Sequence, residues 1–166
     1  LTLESDAEAA AAFNYRVAAV DDSFRYQVRA GDGQTELHSV TVVDRPTLAE
    51  VHLTLTAPDY VERPVYEKSY FPDRLRAIEG SRLSLEMRPE TPLERLDLLM
   101  TFESQSDSED APDEVNAVTV DVSPDGWYRF ETTLHEDFAL SPVLIGSHEL
   151  TNDDRPECRI RVIPDK

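Results

Sequence analysis

The side chains most able to do chemistry in this sequence are carboxylates. Thirty-four Asp and Glu residues face 16 Lys and Arg in a chain of 166, for a formal net charge of −18. A hard cation is the ligand they suggest first, and two groups qualify. The run Asp107-Ser108-Glu109-Asp110-Ala111-Pro112-Asp113-Glu114 places oxygen ligands at alternating positions, as calcium prefers. It lacks the glycine and the spacing of an EF-hand loop. Ser, Asp, Glu and Pro at this density also bury too little apolar surface to order themselves, so a solvated connection between two strands is the better account. The second group surrounds Pro46. Asp44 and Glu50 flank it, and Asp59, Asp153 or Asp154 would have to converge on them, as carboxylates do where cadherin-like modules stiffen their linkers. The linker signature of those modules is missing here, and neither group is expected to hold a metal.

The other reactive types are scattered. His38, His52, His135 and His148 show no i, i+2 or i, i+4 pairing, so surface or hydrogen-bonded strand histidines are expected rather than zinc ligands. Cys158 is the single cysteine, which excludes an intrachain disulfide and any multi-cysteine metal site; within Cys158-Arg159-Ile160-Arg161-Val162 it reads as a small core residue. There is no Gly-x-Ser-x-Gly elbow and no paired-carboxylate signature, and five glycines leave little room for a phosphate-cradling loop. No catalytic, cofactor-binding or metal-binding residue is therefore assigned, and the chain is read as a non-enzyme without cofactors. Aromatic side chains offer the last candidate chemistry. Tyr60, Tyr66, Tyr70, Phe71, Trp127 and Tyr128 are the types that stack on sugars when exposed, although Trp127, after the turn Pro124-Asp125-Gly126, is expected to cap one end of the core.

Charge also excludes partners. A chain this acidic repels phosphate backbones and anionic lipid surfaces, so neither nucleic acid nor direct membrane contact is expected, and protein partners or neighbouring modules of the same chain remain. No apolar run approaches the roughly 18 residues that a membrane helix needs. Beginning at Leu1 without an initiator methionine, the chain reads as an excised segment, with any targeting or anchoring element outside it.

The elements that must position these residues are strands. Apolar residues occupy alternate places in Phe24–Ala30, Val51–Leu55, Leu83–Met87, Val118–Val122 and Cys158–Val162, which puts them on one face of half-buried antiparallel strands. Turn signals stand between the runs: Gly31-Asp32-Gly33, Ala57-Pro58-Asp59, Pro89-Glu90-Thr91-Pro92, Pro124-Asp125-Gly126 and Asn152-Asp153-Asp154-Arg155-Pro156. Helix has weak claims only, at the alanine-rich Asp6–Ala12 and at Thr91–Met100, whose leucines also suit a strand.

An internal repeat organises the chain. Tyr15-Arg16-Val17, Asp21-Asp22-Ser23-Phe24 and the strand Val40-Thr41-Val42-Val43-Asp44-Arg45-Pro46 recur in order as Tyr128-Arg129-Phe130, Glu136-Asp137-Phe138 and Ile160-Arg161-Val162-Ile163-Pro164-Asp165. The offset drifts from about 113 to about 118 residues, as suits sandwich modules of about 100 residues with variable loops. Residues 1–46 thus read as the closing strands of a truncated module and residues 47–166 as a complete one. The complete module should run through strands at Leu48–Thr56, Ser81–Arg88, Leu93–Phe102, Val115–Val122, Trp127–Leu134, Leu140–Leu150 and Glu157–Ile163, with an irregular segment at Ala57–Glu79. That is about seven strands of an all-β, immunoglobulin-like antiparallel sandwich. Leu85, Leu98, Val120 and Ile160 are the expected centre of the core.

In this register, the segments Phe24-Arg25-Tyr26-Gln27-Val28-Arg29-Ala30-Gly31-Asp32, Val43-Asp44-Arg45-Pro46 and Leu53-Thr54-Leu55-Thr56-Ala57-Pro58-Asp59-Tyr60 resemble the tandem immunoglobulin-like region of large uncharacterised bacterial envelope proteins. The family pattern is a Phe-x-Tyr-x-Val-x-Ala-Gly-Asp strand and turn, a linker proline, a strand into a Pro-x-Tyr turn, and a later glycine, here Gly80. The resemblance covers roughly residues 13 to 165 and implies a membrane-anchored parent that exposes these modules outside the cytoplasm, as structural or interaction modules. It carries no catalytic residues. The alternative is a carbohydrate-binding or accessory domain of a secreted enzyme, which a row of exposed aromatics near Tyr66 and Trp127 would favour.

Overall fold

The computed structural model of the chain describes residues 2–4, 12–61, 65–102 and 114–165. The chain divides into two compact units, residues 1–44 and 45–166. The first unit consists of short antiparallel pairs: β1 (Thr2–Glu4) with β2 (Ala12–Asn14), β3 (Phe24–Tyr26) with β6 (His38–Val40), and β4 (Arg29–Ala30) with β5 (Gly33–Gln34). Gly31 turns the chain between β4 and β5 at a φ of 62°, in the left-handed region that favours glycine. The run from Phe24 to Ala30 is thus broken into two strands rather than one. Of the helix candidate Asp6–Ala12, Ala12 lies in β2 and the rest is outside the described residues.

The second unit holds nine strands among the described residues. They are β7 (Leu48–Thr56), β8 (Val65–Lys68), β9 (Arg74–Ile78), β10 (Arg82–Pro89), β11 (Arg95–Phe102), β12 (Glu114–Val120), β13 (Tyr128–Thr133), β14 (Phe138–Ile145) and β15 (Cys158–Ile163). One sheet has the order β13-β10-β7-β8 and the other β12-β11-β14-β15-β9, with every neighbour antiparallel except β9 and β15, which are parallel. The alternation in sequence becomes two inward rows. Leu53, Leu83, Leu85 and Met87 of one sheet share a single buried cluster with Leu96, Leu98, Leu140 and Leu144 of the other. The chain is therefore all-β and its second unit a β-sandwich, with Leu85, Leu98, Val120 and Ile160 all in the core.

Three expectations need correction. The segment expected to be irregular throughout, residues 57–79, holds β8 and β9, which makes nine strands among the described residues rather than about seven. Pro58, Pro72 and the short lengths hid them, yet Leu75 and Ala77 are buried and alternate with Arg74 and Arg76 in an ordinary half-buried pattern. The strand expected at Leu140–Leu150 is Phe138–Ile145. It stops because Ser147–Glu149 form a tight turn in which His148 and Glu149 take positive φ. Trp127 caps no end of the core: its ring packs half-buried at 5.3 Å from that of His52 and 5.9 Å from the Arg88 guanidinium, on the outer face of the β7–β10 sheet. Thr91–Met100 resolves as strand, with β11 beginning at Arg95.

The ladder fixes where the chain enters and leaves the sandwich. Leu48 opposes Pro89, the Glu90 N–H donates to the Thr47 carbonyl at 3.0 Å, and Pro46 packs on Gly146, all at one end. Thr56 opposes Arg82, Glu79 N–H donates to Ile163 C=O, and a hydrogen bond with Asp165 raises the pKa of the Tyr60 phenol, all at the other. The second unit is thus entered at one pole and left at the opposite one.

A buried asparagine completes the β14 edge. β15 pairs with β14 only along Phe138–Leu140 and then departs. Pro142, which has no N–H to offer, stands where that partner is lost. Beyond it the Leu144 N–H donates to Asn152 Oδ1 at 2.9 Å, and Asn152 Nδ2 donates to the carbonyls of Pro142 at 3.2 Å and Asp154 at 2.6 Å. Asn152, only 6% exposed, stands in for a missing stretch of strand.

The final hairpins of the two units pair alike. Phe24 opposes Val40 and Tyr26 opposes His38; Phe138 opposes Ile160 and Leu140 opposes Cys158. In each, the residue before the phenylalanine ties down a backbone N–H two places beyond the opposing aliphatic residue. Val42 N–H donates to Ser23 Oγ at 2.8 Å, and Val162 N–H donates to Asp137 Oδ1 at 2.7 Å.

Candidate functional site

The sequence candidates do not assemble into a reactive centre. The acidic run at 107–113 lies outside the described residues, and Glu114 opens β12. Of the carboxylates around Pro46, those of the second unit do not converge. Within the second unit Asp153 pairs with Arg45 at 3.1 Å at the entry pole, Glu50 pairs with Arg88 at 3.4 Å, and Asp59 lies in the turn at the exit pole. No group of three or more potential metal ligands occurs among the described residues. His38 stacks on Tyr26 and His52 packs tilted against Trp127, while His135 and His148 are exposed. Cys158 is fully buried, and desolvation, with the Asp73 charge adding to it, pushes its thiol up to about 11.

The aromatic candidates separate. Tyr128 is buried in the core and Trp127 is taken up by His52 and Arg88. Tyr66 and Tyr70 remain exposed together where the sandwich opens along its flank. Tyr66 opposes Leu55, so it issues from the inward face of β8, and β8 is the edge of its sheet. Lys68 reaches over both rings, its Nζ 5.1 Å from one centroid and 5.4 Å from the other. Contacts with Tyr70 and Tyr66 hold its pKa above the ordinary lysine value. Across the opening stands β9, the edge of the other sheet, and between them lies a cleft of about 820 Å³ lined by Tyr66, Tyr70, Phe71, Asp73, Arg74 and Glu157 among others.

The cleft continues onto the outer face of β9 and β15, where a second hollow of about 620 Å³ shares Arg74, Glu157 and Arg159 with the first. The parallel register sets Arg159 beside Arg74 and Arg161 beside Arg76, and all four side chains are exposed. Arg159 pairs with Glu157 at 2.9 Å. Arg74, Arg76 and Arg161 form no ion pair among the described residues. A third hollow, of about 370 Å³, lies between Leu55, Val61 and Leu75, and beside it Ser81 Oγ is buried without a hydrogen-bond partner among the described residues.

The arginine square escaped sequence reasoning. Arg74-x-Arg76 and Arg159-x-Arg161 each show outward spacing, but only the β9–β15 pairing brings them side by side. No family model matches the chain, and no curated protein matches its sequence.

Proposed function

We propose that this chain is a non-catalytic structural or interaction segment of tandem immunoglobulin-like modules, in the extracytoplasmic part of a membrane-anchored bacterial envelope protein. The carrying observation is the matched pair of hairpins. Two segments far apart in sequence use the same pairing and the same side-chain tie, Ser23 to Val42 and Asp137 to Val162. Chance resemblance of two acidic hairpins does not call for the tie to recur at the same place. The residues in register with buried Phe138, Leu140 and Ile160 are Phe24, Tyr26 and Val40, as expected if residues 1–46 close an earlier module.

The strand order supports the immunoglobulin-like part of the reading. The first long strand, β7, lies in one sheet, and the chain then crosses to set β9 parallel to the last strand in the other. Entry and exit at opposite poles suit modules strung in series. Partners on this reading are neighbouring modules or other proteins.

Three experiments test it. A chain lacking residues 1–44 should keep the second unit folded with one cooperative transition; complete unfolding would mean that both units build one core and that the repeat is accidental. Asp137→Ser, which installs the first unit's tie in the second, should melt close to the parent protein, whereas Asp137→Ala should lose about 1 kcal/mol. Equal losses in both variants would deny the equivalence. A parent protein that resists protease in spheroplasts and is cut only after the inner membrane is lysed would overturn the assigned location, in periplasm or at the cell surface.

A further inference from the structure

We propose that the flank of the sandwich, from Tyr66 and Tyr70 to the arginine square of β9 and β15, binds an acidic oligosaccharide, a short run of pyranose rings carrying carboxylates. The arrangement of charge is the first argument. Four of the chain's 16 cationic side chains stand in two directly opposed pairs, Arg74 with Arg159 and Arg76 with Arg161. Like charges directly opposite one another on neighbouring strands disfavour the fold. An acidic chain has carboxylates to spare for relieving them, yet Arg74, Arg76 and Arg161 are left without an ion pair among the described residues. Arg74, Arg76 and Arg161 therefore present unspent guanidinium forks, suited to bidentate capture of carboxylates, with Arg159 beside them held by Glu157. Neighbouring strands are about 4.8 Å apart, and alternate residues of one strand about 6.6 Å, so the forks recur at roughly the length of a sugar ring.

The lining between the forks decides the class of anion. Asp73 and Glu157 lie in the same cleft as Arg74 and Arg159. They oppose a densely charged phosphate polymer, as does the net charge of −18. Sugar hydroxyls, in contrast, donate hydrogen bonds to such carboxylates, so a ligand that alternates hydroxyls with carboxylates matches a wall that alternates Asp and Glu with Arg. Tyr66 and Tyr70 supply ring edges and hydroxyls at one end, held in place by Lys68. The cleft is open along its length, as an extended chain requires.

The full chain, titrated calorimetrically with a galacturonic acid oligomer, should bind it, with affinity falling as salt is raised. The fully methyl-esterified oligomer, of the same shape without charge, should bind at least ten-fold more weakly. Arg76→Gln and Arg161→Gln, both at exposed positions, should each cost a similar factor while melting at or above the parent temperature, because each removes a like-charge contact. Tyr70→Ala should weaken the oligomer and leave any binding of inorganic phosphate unchanged. The proposal is overturned if the acidic oligomer does not bind, if its ester binds equally well, if the arginine variants bind as the parent does, or if inorganic phosphate at equal charge displaces the oligomer completely. None of these outcomes bears on the tandem-module reading.

Discussion

Replacing Asn152 with alanine tests the most specific structural device in the sandwich. Its side chain supplies a donor to the Pro142 carbonyl and an acceptor to the Leu144 N–H, both on the core strand β14, and it is nearly inaccessible to water. Each buried backbone group left unpaired costs about 1–3 kcal/mol. Two such groups, partly rescued by water entering the space vacated, give a loss of about 3 kcal/mol. For a unit of this size about 1 kcal/mol moves the melting temperature by roughly 3–5 °C, so Asn152→Ala should melt about 10–15 °C lower. Urea unfolding followed by fluorescence of the single tryptophan, Trp127, reads the same loss as a lower midpoint with unchanged slope. Asp153→Ala is the control. It removes an exposed ion pair with Arg45 at the neighbouring position and should cost less than about 1 kcal/mol. Asn152→Asp keeps the acceptor but turns a carboxylate toward the carbonyls of Pro142 and Asp154, so it should be at least as damaging at neutral pH and recover partly in acid as the carboxyl gains a proton. A loss in Asn152→Ala no larger than that of Asp153→Ala would refute the reasoning, since it would mean that solvent reaches this strand edge freely.

Three other outcomes are expected. The Arg129 guanidinium, bonded to Asp125 at 2.6 Å and 3.1 Å, holds the Asp125 carboxyl below its ordinary value of 3.8. The folded state therefore favours the ionised form, and the contribution is present above the ordinary value and lost as pH falls through the depressed one. Melting curves of the parent and Asp125→Asn should differ at neutral pH and converge in strong acid. Cys158, with its thiol pushed up to about 11 by burial, should resist a disulfide reagent at pH 8 in the folded protein and react promptly in denaturant. Millimolar calcium should shift the melting temperature by less than a few degrees, as the second unit's carboxylates around Pro46 do not converge; a larger rise, reversed by chelator, would assign a site to the acidic run at 107–114 or to the junction around Pro46.

Period-two alternation made most of the sandwich legible because one face of each long strand meets a dry core. Leu83, Leu85 and Met87 are fully buried in the order their spacing implies. The same rule fails where a strand's inward face meets an opening instead of a core. Tyr66 and Lys68 occupy inward positions of β8, yet a tyrosine and a lysine there do not read as core, and the strand passes for loop. β9 was hidden differently: Leu75 and Ala77 alternate with arginines, but five residues between Pro72 and Gly80 make a weak signal. Asn152 shows a third kind of illegibility. Asn-Asp-Asp is ordinary turn chemistry in sequence, and only the departure of β15 from β14 gives its amide a structural task.

The candidate site follows the same division. Its aromatic end was visible as residue types, since tyrosines in a segment with few aliphatic residues have no obvious core to fill. Its cationic end depends on a pairing between strands that begin at Arg74 and Cys158, the only parallel pair among the described residues. That register sets Arg74 beside Arg159 and Arg76 beside Arg161. Across β10 and β13, by contrast, Glu86 stands opposite Arg129 and offsets it. The crossing of the chain from β7 to β9 thus does two things at once. It closes the second sheet with a parallel edge strand, and it concentrates positive charge on the flank of an otherwise acidic module.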